Sequence, residues 1–200
     1  MATHTPLEDV FHTGHWHQLR HLTPKEFRRA LPDYLAKSER KLVHLHFNNQ
    51  AHFHHWVAGC YKQLFKLLSD LAVTDVIVEP RIKKLLNPPF APIYFGCPDL
   101  LVYSQVANGM VGLEIKTSVV QRPPEPYKIK MYQLGLNRFI QQRGMPPLRS
   151  VEWVNFTPSG HDRGRSLMKR HTFPVDAPSL HEWFLENHPS MQGMLERLYS

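Results

Sequence analysis

The sequence predicts an α/β protein, a mixed central sheet flanked by helices, with extra helices toward the N- and C-terminal ends. Three observations carry this. Runs rich in β-branched residues interleave with runs of 3.6-residue apolar period, in the order α-α-β-β-β-α-β-β-α. The chain of 200 residues, 42% hydrophobic, is long enough to bury one core. Its two cysteines, Cys60 and Cys97, form no CxxC and no ligand cluster, so neither a disulfide framework nor a cysteine-bound metal is needed to hold it together. One domain over 1–200 is expected: a helical extension (1–49), a core (50–157), and a basic hairpin with a final helix (158–200).

The elements follow in order. Residues 1–22 read as an irregular arm carrying His12, His15, His17 and His21. Thr23-Pro24-Lys25-Glu26 is a helix start, with Thr as N-cap, Pro at the first helical position and Glu three residues on, and the helix runs over 24–46 with Pro32 a candidate break. A second helix spans Gln50 to Leu71, because Phe53, Val57, Tyr61, Leu64, Phe65 and Leu68 recur at three- and four-residue steps. Val73–Ile82 is a strand, followed by the loop NPPFAP. Pro98–Ser104 and Met110–Ser118 are two further strands. A helix follows over 127–143, stopped at Gly144. Val151–Thr157 and Leu167–Phe173 are strands. Ser179-x-x-Glu182 opens a last helix over 180–199.

The net charge is +7, and its distribution is uneven. Eleven Lys/Arg lie between Lys116 and Arg170 against three acids, Glu125, Glu152 and Asp162. A one-sided basic segment suits a polyanion such as DNA. The segment MATHTPLEDV has no basic patch followed by an apolar stretch, and no run approaches the length of a membrane span. A soluble cytoplasmic protein is expected.

The stretch FGCPDLLVYSQVANGMVGLEIKTSV (95–119) places three charges where a core strand needs none. Side chains alternate along a strand, so Glu114 and Lys116 share a face, and so do Asp99, Leu101 and Tyr103. Whether Asp99 meets Glu114 depends on the turn. A two-residue Asn108-Gly109 turn would set Asp99 opposite Ser118. A wider loop centred between Val106 and Ala107 would set it opposite Glu114, and this is the expected register. Paired carboxylates are costly without a cation between them, and hard oxygen ligands suit Mg²⁺ or Mn²⁺. A nearby lysine can act on an attacking water or neutralise developing phosphate charge.

Pro98-Asp99 followed by Glu114-Ile115-Lys116 resembles the PD-(D/E)xK nuclease motif. That superfamily shares a restriction-endonuclease-like αβββαβ core, which the order over 50–157 matches. The resemblance implies that Asp99, Glu114 and the carbonyl of Ile115 hold Mg²⁺ or Mn²⁺ and that Lys116 acts on the water. YQLGLNRF looks like the glutamine-bearing helix of the RecB/Cas4/λ-exonuclease branch, which makes Gln133 a further site residue and His55 a candidate metal ligand. The chain departs from that branch at Asn137 and Phe139, where a tyrosine is usual, and lacks the four cysteines of its iron–sulfur members.

Glu79 is a candidate third acid, or a partner of Arg81. Tyr94 and Phe95 are candidate base-stacking residues. Trp56, Trp153 and Trp183 are expected in the core. Lys128, Lys130, Arg138, Arg163, Arg165, Lys169 and Arg170 are the candidate nucleic-acid contacts. The expected activity is metal-dependent DNA hydrolysis at ends or single strands, with structure-specific or transposon-type cleavage as variants. A partner supplies targeting: a helicase, or a recombination, transposition or CRISPR protein. The rivals are a catalytically silent nucleic-acid-binding or assembly subunit, and an adaptor binding zinc through its histidine arm.

Overall fold

A computed structural model describes Glu26, Arg29, Phe47 and residues 50–81, 95–117 and 123–188. The histidine arm, nearly all of the helix expected over 24–46, the NPPFAP loop, Tyr94 and the tail beyond residue 188 lie outside the described residues.

The order is α1 (Gln50–Asp70), β1 (Val73–Val78), β2 (Leu100–Ser104), β3 (Gly109–Thr117), α2 (Pro126–Gln141), β4 (Leu148–Pro158), β5 (Ser166–Pro174) and α3 (Ala177–Asn187). This is an α/β protein. The five strands form one mixed sheet in the order β1-β2-β3-β4-β5. Both β1–β2 and β2–β3 are antiparallel. The helical connection through α2 then brings β4 beside β3, with the Met110 N–H donating to the Pro147 carbonyl at 2.8 Å.

Several boundaries differ from expectation: β2 begins at Leu100 rather than Pro98, α2 ends at Gln141 rather than residue 143, and β4 begins at Leu148 rather than Val151. β1 stops at Val78, short of Ile82. Glu79 takes a positive φ of 43°, which leaves the extended conformation, and Pro80 has no N–H for a ladder. The last helix begins at Ala177, with Asp176 as N-cap and no side-chain capping bond. Pro178 fits the first helical turn, where its missing N–H costs nothing, so Ser179 lies inside the helix and cannot cap it. At the end of α2, by contrast, Gly144 takes the left-handed conformation that stops a helix (φ +59°), as the sequence indicates.

The chain groups into two compact units. One comprises Met1–Leu71, Ile115–Arg122 and Val154–Arg170; the other comprises Ala72–Glu114, Pro123–Trp153 and His171–Ser200. Strands β3, β4 and β5 each contribute residues to both.

In the first unit α1 buries Phe53, Trp56, Val57, Cys60, Tyr61, Leu64, Leu67 and Leu68, a stripe at helical spacing. Its contact with β5 is polar at the centre. Ser166 Oγ donates to Gln63 Oε1 at 3.1 Å, which leaves the Cys60 thiol to donate to Ser166 Oγ, also at 3.1 Å. Gln63 Nε2 returns a bond to the Ser166 carbonyl.

In the second unit α2 is buried on two sides. Ile129, Tyr132, Leu136, Phe139 and Ile140 pack on Leu101, Met110, Leu148, Val151 and Trp153 of the sheet. Met131 and Leu134 pack instead with Phe95, Leu180 and Phe184. A Cβ at Gly112 would stand 2.5 Å from a methyl of Leu136, so the glycine lets α2 lie close on β3.

Candidate active site

The β2–β3 connection decides whether the charged stretch forms a site. Gln105–Asn108 form a four-residue loop. Ser104 Oγ accepts the Ala107 N–H at 3.0 Å, and Asn108 donates to the Gln105 carbonyl at 3.2 Å with φ +48°. Asn108 therefore serves as the left-handed residue of a wider loop rather than as half of a two-residue turn. The pairing runs from Ser104↔Gly109 to Leu100↔Leu113. One further step sets Asp99 opposite Glu114, the register expected from the sequence.

The same logic extends to β1. Val78 pairs with Leu100, and beyond it the Glu79 N–H donates to the Asp99 carbonyl at 2.8 Å. Glu79 and Asp99 thus lie just beyond the paired ends of β1 and β2, and Glu114, inside β3, is next in register. Their charges converge on Cys97, whose sulfur lies 3.2 Å from the Pro80 carbonyl. Burial first, and then Glu79, Asp99 and Glu114, push its thiol up to about 12, with Arg81 opposing. Burial, Glu114 and Asp99 likewise push the Tyr132 phenol far up, so it remains a hydrogen donor.

Glu114 is 2% exposed. Its Oε1 accepts from Tyr132 Oη at 3.0 Å and from Lys128 Nζ at 3.1 Å. Lys128 also lies over the rings of Tyr132 and Trp153, at 5.2 and 5.3 Å from their centroids. Lys128 was expected to grip phosphate; here its ammonium is engaged as the counter-ion of Glu114. Tyr132 was missed by sequence reasoning. The signal for it was its position four residues after Lys128 on the same helix face.

Several other expected site residues have defined places. Lys116, half-buried, is two residues beyond Glu114 on β3, with Ile115 buried between them. Gln133 is buried, and its amide donates to the carbonyls of Phe173 and Pro174, tying α2 to the end of β5. Phe95 is not a stacking platform: it is 4% exposed and packs among Met131, Leu134, Leu180 and Phe184. Trp56 and Trp153 are buried, as expected. His55 is exposed on α1 in the first unit, near Gly164. Lys130 and Arg138 are half-buried on α2, and burial lowers the Arg138 guanidinium below its usual range. Arg163, Arg165, Lys169 and Arg170 are exposed on the β4–β5 hairpin.

The donors available to a cation among these carboxylates are hard oxygens, which fit Mg²⁺ or Mn²⁺ in chemistry. Among the described residues no three His, Cys, Asp or Glu side chains are gathered closely enough to hold an ion as they stand. Glu114 is instead neutralised by Lys128.

No family model matches the chain, and no curated protein matches it. A solved structure titled "Crystal structure of SSO0001" is similar at 14% identity and TM-score 0.30, over 78% of this chain and 66% of that one, just under two thirds of its length. A similarity that low carries no argument about fold or activity. No helix among the described residues is long and apolar enough to cross a membrane.

Proposed function

We propose that the chain is a metal-dependent DNA nuclease of the PD-(D/E)xK kind, built on a restriction-endonuclease-like core. The observation that supports this is the β2–β3 register, Leu100 opposite Leu113, which continued by one residue brings Asp99 opposite Glu114, with Lys116 two residues further along β3. The element order α1-β1-β2-β3-α2-β4 supports it. Asp99, Glu114 and the Ile115 carbonyl would hold Mg²⁺ or Mn²⁺, with Glu79 as an additional acid. When bound, the ion supplies a polarised water and charge stabilisation at the phosphate. Lys116 Nζ orients that water or takes up charge on the phosphate oxygens. The exposed arginines and lysines of the β4–β5 hairpin contact the DNA backbone without reading sequence. The substrate is an end or a single strand in the cytoplasm, delivered by a helicase or by a recombination, transposition or CRISPR protein.

The test is cleavage of end-labelled single-stranded, double-stranded and forked DNA in Mg²⁺, Mn²⁺ or EDTA, beside Lys116→Ala. Metal-dependent cutting lost in the variant is expected. A second reading, a silent subunit that binds nucleic acid without cutting it, is favoured by the Lys128–Glu114 ion pair. It predicts DNA binding unaffected by EDTA and by Asp99→Ala.

A further inference from the structure

We propose that Lys128 is a resident placeholder for the divalent cation: its ammonium neutralises Glu114 when no ion is bound and gives way when one arrives, so it sets how tightly the protein holds metal. The proposal rests on the metal-dependent reading of the site.

A carboxylate as buried as Glu114 is costly without a compensating charge. Tyr132 and Lys128 both donate to Oε1, and of these two Lys128 is the cation. A divalent ion on Glu114 would face that ammonium at close range. Two cations on one carboxylate repel each other, so the ion is held more tightly once the ammonium has moved away. Lys128 is built to yield. It lies in the first turn of α2, and its side chain is 39% exposed, against 2% for Glu114. A lysine ammonium on a flexible four-carbon stem can swing into water without moving the backbone. The faces of Tyr132 and Trp153 hold the ammonium at Glu114 until then. Metal binding therefore displaces a charge-assisted hydrogen bond as it gains a ligand.

The experiment is Mn²⁺ titration of the full chain by calorimetry, for wild type, Lys128→Met and Lys128→Arg, with thermal unfolding in EDTA and in Mn²⁺. Lys128→Met is expected to bind Mn²⁺ about tenfold more tightly, the factor expected when the ion no longer displaces that bond. It is also expected to melt lower than wild type in EDTA and to gain more from Mn²⁺. Lys128→Arg keeps the charge and should retain the weaker affinity. If Lys128→Met is unfolded, Lys128→Gln, which keeps a donor without the charge, takes its place. Equal or weaker binding by the neutral variant overturns the placeholder and leaves the nuclease reading standing. No Mn²⁺ bound by wild type or by the neutral variant overturns both.

Discussion

The backbone N–H of Glu79 reaches the carbonyl of Asp99 at 2.8 Å, and Glu79 makes this bond at a φ of +43°. A glutamate in the left-handed region costs about 1 kcal/mol or more. That strained residue closes β1 beside Asp99, and the β2–β3 register continued by one residue sets Asp99 opposite Glu114. Like charges placed opposite one another on neighbouring strands destabilise by about 0.2–1 kcal/mol. Asp99→Asn is therefore expected to raise stability in EDTA by that amount, read from the urea midpoint. The same change should lower metal-dependent cleavage about a hundredfold or more. Opposite signs for stability and activity mark a functional acid. A loss of stability in EDTA would show that Asp99 is a structural residue.

Tyr132 holds Glu114 from the helix side. Its hydroxyl donates at 3.0 Å, and Gly96 makes room for its ring: a Cβ at Gly96 would stand 2.5 Å from a ring carbon, at a φ of +76°. Tyr132→Phe removes a hydrogen bond to a buried charge and should cost about 1.5–3 kcal/mol. Gly96→Ala adds backbone strain and moves the same ring, so it should also destabilise, and it should weaken Mn²⁺ binding by shifting Glu114. Chemical denaturation and Mn²⁺ titration of the two variants check this. Wild-type stability in Tyr132→Phe would mean the bond contributes nothing net.

The strands and helices that carry the candidate site were legible in the sequence because they depend on local periodicity. The alternation Glu114-Ile115-Lys116 gave which residues share a strand face, α1 followed from apolar spacing, and Gly144 marked where α2 stops. The register was harder. Asn108-Gly109 favours a two-residue turn on local chemistry, and the deciding group was Ser104, whose hydroxyl closes the wider loop onto Ala107. The pairing of Glu114 with Lys128 and Tyr132 could not be read, because those partners lie 14 and 18 residues away and meet it only through the packing of α2 on the sheet. For the same reason Phe95 looked available: an apolar residue beside a charged motif can face a ligand or a core, and α3 decides. Gln133 shows the opposite case, a polar residue whose amide is consumed by backbone carbonyls at the end of β5.

The β4–β5 hairpin offers a test of nucleic-acid binding independent of catalysis. Ser159 N–H donates to the Arg165 carbonyl at 2.9 Å, and Asp162 Oδ1 accepts the Gly164 N–H at 3.0 Å, so the tip is closed by its own backbone and Asp162. Arg163 and Arg165 are exposed on it. Removing both should leave stability within about 0.5 kcal/mol. It should weaken DNA binding similarly for all sequences and reduce the slope of log affinity against log salt by about 1 to 2. Fluorescence anisotropy across a salt series measures this. An unchanged slope would remove the hairpin from the DNA-binding surface.

Cys60 supplies the pH dependence. It is fully buried between α1 and Ser166, and burial pushes its thiol from 9.0 up to about 12, the Ser166 hydrogen bond opposing in part. Between these values the folded protein keeps a proton that the unfolded chain has released. The unfolded state then binds fewer protons, so stability falls as pH rises. The contribution is fully present below about pH 9 and is lost towards pH 12, by on the order of 1.4 kcal/mol per pH unit. Cys97 titrates in the same direction, so the informative quantity is the difference between wild type and Cys60→Ala. At pH 8 the variant should be less stable by roughly 1–2 kcal/mol, having lost a buried group and left Ser166 without its thiol donor. That deficit should shrink and then reverse as pH rises, because only the wild type must release the buried proton. Urea midpoints from pH 8 to 11 decide it: converging curves mean a buried thiol held neutral, and parallel curves mean the thiol ionises at its ordinary value, with water reaching the contact between α1 and β5.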